Sequence, residues 1–169
     1  MSNAFEIKNG KYTIPHVLRN AESASFVLGV YSGYNHQNKT EDGTSYNLNT
    51  FSKFLVEFMR DYEHEFGTIS FIVEPVKCVY LPKFGCPLNG EDAFKLSSIY
   101  NPEYGIPEEE WFDTFLLYAY KLGQHFKQST ITIEYLTSLD INNTDCNTEP
   151  RLTQYGYMYI KPDDLIEND

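Results

Sequence analysis

An apolar side chain recurs every three or four residues between positions 51 and 66, and this spacing constrains the fold more than any other feature of the chain. At that spacing the side chains share one face of a helix. Asn49 or Thr50 is suited to cap the first turn, and Gly67 is suited to end the helix. The apolar residues are Phe51, Phe54, Leu55, Phe58, Met59, Tyr62 and Phe66.

A second amphipathic helix is predicted after Pro107. Proline fits the first turn of a helix, and the carboxylates that follow it favour the positive end of the helix dipole. We expect this helix to end near Lys127. Its apolar face consists of Trp111, Phe115, Tyr118, Ala119, Leu122 and Phe126.

Strands are predicted at 25–32, 129–136 and 155–160, where apolar and β-branched residues cluster or alternate with polar ones. The stretch 69–81 is also β-rich. Because Pro75 cannot donate a ladder hydrogen bond, this stretch is either an edge strand or two strands broken by a bulge.

Two segments are harder to assign. Proline, glycine and asparagine punctuate 82–105, which predicts an irregular connection with a short helical turn near 91–96. The segment 12–19 fits either an edge strand or a short helix.

This order of elements predicts an α+β fold, with a mainly antiparallel sheet and two amphipathic helices packed on one face. The length of 169 residues, of which 41% are hydrophobic, suits a single domain over 1–169. Residues 1–10 and 162–169 are predicted to be flexible ends.

The composition also bears on the compartment. No apolar run approaches the roughly 18 residues that cross a bilayer, and no basic segment precedes an apolar one at the start. Three cysteines cannot all pair, and their spacing is not that of a disulfide framework. We therefore expect a cytoplasmic protein that does not act at a membrane.

The net charge limits the classes of partner that the chain is expected to bind. Thirteen Lys and Arg against 24 Asp and Glu leave a formal charge of -11, without a basic stripe that could neutralise phosphates. Direct binding of nucleic acid is therefore not expected, whereas a basic protein is a compatible partner.

The sequence contains no complete catalytic or metal-binding motif. The cysteine and histidine spacings do not form a metal site, and neither a phosphate-binding loop nor a nucleophile elbow occurs, so we predict no metal and no cofactor. His36 is the best single candidate for a general acid or base, but a solvated loop histidine is the favoured explanation.

The loop Tyr34-Asn35-His36 with Asn47, and the helix end Leu122-Gly123-Gln124 followed by Gln128, resemble a family of small bacterial and phage domains of unknown function. In that family a helix ends in a Gly-Gln pair and delivers a β-branched strand. The resemblance spans roughly 26–133, and it implies a fold without implying a mechanism.

The sequence favours a non-catalytic, acidic interaction protein, phage-encoded, that binds or inhibits a host protein. Its candidate interface is formed by Glu108, Glu109, Glu110 and Asp113. The alternative is a small enzyme or nucleotide-binding domain whose pocket lies between the 34–47 loop and the 123–128 turn. Its candidate residues are Tyr34, Asn35, His36, Asn47, Gln124 and Gln128. A homo-oligomer stays open as a third alternative.

Overall fold

The computed structural model describes residues 6–8, 11–13, 21–30, 45–128, 130–139 and 152–160. In chain order its elements are β1 (Glu6–Lys8), β2 (Lys11–Thr13), β3 (Ala21–Gly29), α1 (Leu48–Phe66), β4 (Ile72–Cys78), β5 (Glu91–Ile99), α2 (Glu108–His125), β6 (Ile131–Leu139) and β7 (Leu152–Ile160).

The helix predicted over 51–66 is confirmed as α1, with a cap slightly earlier than expected. Asn47 is the capping residue: its Oδ1 accepts a hydrogen bond from the Thr50 amide at 2.9 Å. In return, the Thr50 hydroxyl accepts one from the Asn47 amide at 2.9 Å. This reciprocal pair satisfies two amides that would otherwise lack partners. Gly67 ends the helix at φ 95°, a backbone conformation that favours glycine.

The main sheet has five strands in the order β4-β5-β3-β6-β7, and every neighbouring pair is antiparallel. β4 lies at the edge, which is where a strand containing Pro75 is tolerated. The edge-strand alternative is therefore the correct one for this stretch. β1 and β2 form a separate antiparallel pair, so part of the 12–19 segment extends a small strand pair and not the main sheet.

Both helices pack on one face of the main sheet, which confirms the predicted fold class. α2 lies against β3 and β6, and α1 lies against α2 and β4. Phe51 stacks on Phe94 with ring centroids 4.2 Å apart, and Phe26 meets Phe115 edge to face at 5.5 Å. These aromatic side chains are buried and form most of the interior. In the described part of the chain, no helix is long and apolar enough to cross a membrane.

The helical turn predicted near 91–96 is wrong, because these residues belong to β5. This strand pairs with β4 on one side and β3 on the other. Phe94 and Leu96 are buried towards the helices, while Lys95 points the other way, so the true period is two. Because turn-forming residues lie on both sides of this short alternation, the sequence favoured a turn over a strand. The predicted single domain with flexible ends stays a prediction.

The two ends of the sheet are distinct. We call the end with Gly29 and Glu91 the Glu91 end, and the end with Ile99 and Trp111 the Trp111 end. α1 begins at the Glu91 end, where Phe51 meets Phe94, and α2 begins at the Trp111 end, where Trp111 contacts Tyr100.

Candidate functional site

The structure describes three of the six predicted pocket residues, and all three lie towards the Glu91 end. Asn47 is occupied in capping α1. The Gln124 amide donates to the Tyr120 hydroxyl at 2.6 Å, and the Gln128 amide donates to the Phe126 carbonyl at 3.2 Å. Tyr34, Asn35 and His36 lie outside the described residues.

The start of α1 and the end of α2 meet, so two of the predicted pocket segments are neighbours. The Tyr46 ring lies edge to face with Phe126 at 6.0 Å, and Phe51 lies 6.3 Å from the same ring. The 34–47 loop therefore closes at its last residues against the 123–128 turn. Whether the two enclose a pocket remains a prediction.

Gln128 approaches the sheet at Gly29. A Cβ atom built at Gly29 would lie 2.9 Å from Gln128 Oε1. Because Leu28 is buried towards the helices, position 29 faces the opposite side of the sheet. The Gln128 side chain therefore lies over the open face of the sheet, where glycine makes room for it.

Glu91 lies on this same open face. Gly29 pairs with Ala93, and Glu91 follows the same alternation two residues away, about 7 Å along β5. Tyr80 donates a hydrogen bond from its hydroxyl to Glu91 Oε2 at 3.1 Å. A carboxylate, a phenol and an amide thus border a floor made of Gly29 and Ala93.

The cysteines near Glu91 are not positioned as a reactive site. Burial, together with Glu91 and Cys86, raises the pKa of the Cys78 thiol, which therefore stays protonated at neutral pH. Cys86 Sγ accepts a hydrogen bond from the Tyr80 amide at 3.5 Å. The described residues contain no group of three side chains that could hold a metal ion.

Charged side chains of both signs lie near this end of the sheet, with Lys95 on the same face of β5 as Glu91. Asp92 is engaged in an ion pair with Lys77 at 2.5 Å, which leaves Glu91 as the carboxylate on the open face of this part of β5. Sequence reasoning missed Tyr80 and Glu91, since it placed one before an irregular connection and the other in a helical turn. The signal that could have found Glu91 is the alternation of Phe94 and Leu96 with Lys95 and Ser97.

His125 lies in the last turn of α2, where a protonated imidazole would complement the negative end of the helix dipole. Burial lowers the pKa of His125, and its ring lies 5.0 Å from Phe54 and 4.8 Å from Phe126. A neutral ring in aromatic contact is thus favoured over a charged cap.

The Trp111 end has an apolar cavity of about 380 Å³. Trp111 donates from Nε1 to Ser98 Oγ at 3.0 Å, and Tyr100 donates from its hydroxyl to the Ile106 carbonyl at 2.8 Å. Their polar atoms are thus satisfied within the protein, and none of the lining residues is charged. A charged molecule would lose its hydration here without compensation.

The predicted interface lies at the start of α2, which is also the Trp111 end. Glu109 and Glu110 are exposed there, while Glu108 and Asp113 are half-buried. These four acids are consequently separated from Glu91 by the length of β5.

Two solved structures resemble this chain. One is a phage SAM lyase in complex with S-methyl-5'-thioadenosine, and the other is a phage SAM lyase in the apo state. Each is 15% identical, with a TM-score of 0.46 over 88% of this chain, and the matches cover 96% and 95% of their chains. At these values the likeness supports no conclusion by itself. No curated protein matches the chain.

A family model gives a firmer result. The SAM lyase model matches residues 21–139, which is more than two thirds of the 169 residues and runs from the start of β3 to the end of β6. The matched span contains both helices, Glu91 and Gln128.

This match corrects three predictions. The main prediction of a non-catalytic interaction protein is wrong, because the family consists of enzymes. A protein as the main partner is wrong as well, since the family acts on a small molecule, and the acidic charge suits a small cation as well as a basic protein. The suspected family has a known function, and the candidate interface of Glu108, Glu109, Glu110 and Asp113 stays a prediction. The chain belongs to the SAM lyase family.

Proposed function

We propose that this chain is an S-adenosylmethionine lyase and that it cleaves its substrate at the Glu91 end. The observation that carries the proposal is the family match over residues 21–139. The placement of the site rests on Glu91, Tyr80 and Gln128, which border one face of the sheet. The predicted cytoplasmic location belongs to the same proposal, because this substrate is a metabolite of the cell interior.

The substrate explains the charge of the protein. S-adenosylmethionine carries a sulfonium, an ammonium and a carboxylate, so its net charge is positive. A chain with a formal charge of -11 attracts such a cation at long range. In this account the acidity that suggested a protein partner serves the capture of a small molecule.

The reaction can proceed without a proton transfer to the protein. One carboxylate oxygen of the substrate attacks its own Cγ, a C–O bond forms, and the Cγ–S bond breaks with its electron pair going to sulfur. The products are methylthioadenosine, a neutral thioether, and homoserine lactone, which keeps the ammonium. Atoms and charge balance without water, as the word lyase requires.

For this reaction the main task of the protein is to position the substrate. Holding the carboxylate near Cγ converts a rare conformation into a reactive one. Charge disappears as the sulfonium becomes a thioether, so a site that excludes water favours the less charged transition state. Neither step needs a histidine at neutral pH.

Each described side chain has a role in this proposal. The Glu91 carboxylate accepts hydrogen bonds from the substrate ammonium, and the Tyr80 hydroxyl, 3.1 Å away, fixes its orientation. Gln128 offers the donor and acceptor pattern of a primary amide to the adenine edge.

The test is to incubate the purified chain with S-adenosylmethionine in water enriched in oxygen-18 and to follow the products by mass spectrometry. We expect methylthioadenosine and a lactone without the heavy isotope at early times. Homoserine that carries the isotope from the first turnover would show a hydrolase instead. Unchanged substrate would contradict the proposal, with heat-denatured protein as the blank.

A further inference from the structure

A second feature of the molecule, independent of the proposed reaction, is the cavity of about 380 Å³ at the Trp111 end. Pockets that bind small molecules usually measure roughly 300–1,000 Å³, so this one is large enough for a ligand of two fused rings. Its walls come from the connection between α1 and β4, the end of β5, the segment before α2 and the start of α2. The reaction proposed above uses none of these segments.

Hydrogen bonds hold the cavity walls in place. Besides the bonds of Trp111 and Tyr100 described above, the Tyr100 amide donates to the Glu22 carbonyl at 2.8 Å, which ties the end of β5 to the start of β3. Asn101 Oδ1 accepts a hydrogen bond from the Glu103 amide at 3.0 Å and so fixes the turn that follows β5. Walls that are already held in this way need little further ordering when a ligand binds.

The lining is apolar and partly exposed. Ile99 and Tyr104 are 65% and 68% exposed, so a ligand that lies between them would remove apolar surface from water. Buried Trp111 and half-buried Tyr100 add aromatic surface, with their ring centroids 5.9 Å apart. Such walls favour a flat ring system, because aromatic rings pack on one another edge to face or offset.

The charges around the cavity favour an uncharged ligand. None of the lining residues is charged, and the adjoining segment 101–110 contains four glutamates and no basic residue, so an anion is repelled. A cation would be attracted to these acids from a distance, but it would lose its hydration between walls that offer it no carboxylate. An uncharged molecule has neither disadvantage.

A few polar groups at the cavity define one edge of the ligand. Thr68, Ser70 and Asn101 belong to the lining. Because Asn101 Oδ1 is already engaged, its side-chain NH₂ group is left as a donor, and in the described part of the chain neither this group nor the two hydroxyls has a hydrogen-bond partner. These groups suit one acceptor edge but not the several hydroxyls of a sugar, so a nucleoside fits poorly.

We propose that this cavity is a binding site for an uncharged, flat aromatic molecule of two fused rings with one acceptor edge. The rings lie between Ile99 and Tyr104, and the acceptor edge receives a hydrogen bond from the Asn101 amide. Glu91 lies at the opposite end of the nine-residue strand β5, which spans roughly 30 Å. A molecule bound in the cavity therefore does not compete with S-adenosylmethionine.

Quinoline is a suitable probe, because its ring system is available in three states of charge. Quinoline is uncharged at neutral pH, N-methylquinolinium is a cation, and quinoline-6-carboxylate is an anion. Each is titrated into the isotope-labelled full chain and followed by nuclear magnetic resonance. Trp111 is the only tryptophan of the chain, so its indole N–H gives a single resonance that reports on the cavity.

Quinoline is expected to shift this resonance and the amides of 68–70 and 103–106, with saturation at one molecule per chain. Each charged relative should bind roughly 10-fold more weakly, or more weakly still. Ile99→Asp, which places a carboxylate at the exposed wall, should weaken quinoline binding by roughly 10-fold for the same reason. Val56→Asp is the matched control, because it places the same charge at an apolar residue of α1 that is 58% exposed, and it should leave binding unchanged.

The absence of a saturable shift at the cavity overturns the proposal. Equal or tighter binding of either charged relative overturns it as well, because the class of ligand would then be wrong. So does quinoline binding that Ile99→Asp leaves unchanged. None of these outcomes depends on whether the chain cleaves S-adenosylmethionine.

Discussion

At the Glu91 end, polar side chains stand beside a floor of glycine and alanine, whereas at the Trp111 end aromatic side chains enclose an uncharged cavity. The same strand, β5, begins at one end and finishes at the other. At the first end, Gln128 lies over Gly29 and Glu91 follows on the same face of the sheet. At the second end, large side chains such as buried Trp111 stabilise the fold beside the cavity.

The two ends therefore differ in whether their side chains contribute mainly to stability or to the proposed site. Trp111 is buried and bonds to buried Ser98, so its contribution is to the free energy of unfolding. Glu91 is half-buried and accepts a hydrogen bond from the half-buried Tyr80 hydroxyl, so replacing its side chain should disturb the core very little. We therefore expect variants at the two ends to affect different measurements.

The largest expected effect is on stability at the Trp111 end. Trp111→Ala should lower the free energy of unfolding by about 3–5 kcal/mol, because it empties a buried site. Chemical denaturation followed by circular dichroism measures this loss. Trp111→Phe, which keeps most of the volume but leaves the Ser98 hydroxyl without its donor at 3.0 Å, should cost about 1–3 kcal/mol. Below the unfolding transition, the rate of cleavage per folded molecule should not change.

The next effect is on activity at the Glu91 end. Glu91→Gln removes the charge that we assign to ammonium recognition, so kcat/KM for S-adenosylmethionine should fall on the order of 10- to 100-fold. The unfolding midpoint should stay close to that of the unchanged chain. Glu103→Gln, an exposed acid at the other end, is the matched control for lost charge. Equal loss in both variants would mean that overall charge, and not position, matters.

The smallest effect concerns the glycine under Gln128. In Gly29→Ala the new methyl group would lie 2.9 Å from Gln128 Oε1, and the flexible amide should move aside. We expect KM to rise roughly 2- to 5-fold, as when one neutral hydrogen bond is weakened. Initial rates at varied substrate measure it.

A double variant sharpens this result. If Gly29→Ala acts through the amide, adding it to Gln128→Ala should cause no further rise in KM. Additive effects would place the methyl group against the substrate itself.

The sequence was sufficient for the elements with long, regular patterns. Both helices and the strands β3, β4, β6 and β7 follow from the apolar spacing, and Pro75 left an edge strand as one of two alternatives for β4. β5 was missed because its alternation is short and lies between runs of proline and glycine. The flanking prolines and glycines favoured an irregular connection, whereas β5 forms a strand because it pairs with β4 and β3.

The site was predictable only in part. Gln128 was chosen from the sequence and lies at the sheet as an amide facing Gly29. Glu91 and Tyr80 are eleven positions apart and meet only because a hairpin brings the end of β4 next to the start of β5. A contact made by strand register leaves no motif in the sequence, so the carboxylate could not be distinguished from the other acids.

The most direct test of where the reaction takes place is to titrate methylthioadenosine into the isotope-labelled chain and to follow the backbone amide resonances. The account predicts that shifts concentrate at Gly29, Glu91 and Gln128, with little change at Ile99 and Trp111. Shifts concentrated at the Trp111 end, or none at saturating ligand, would contradict it.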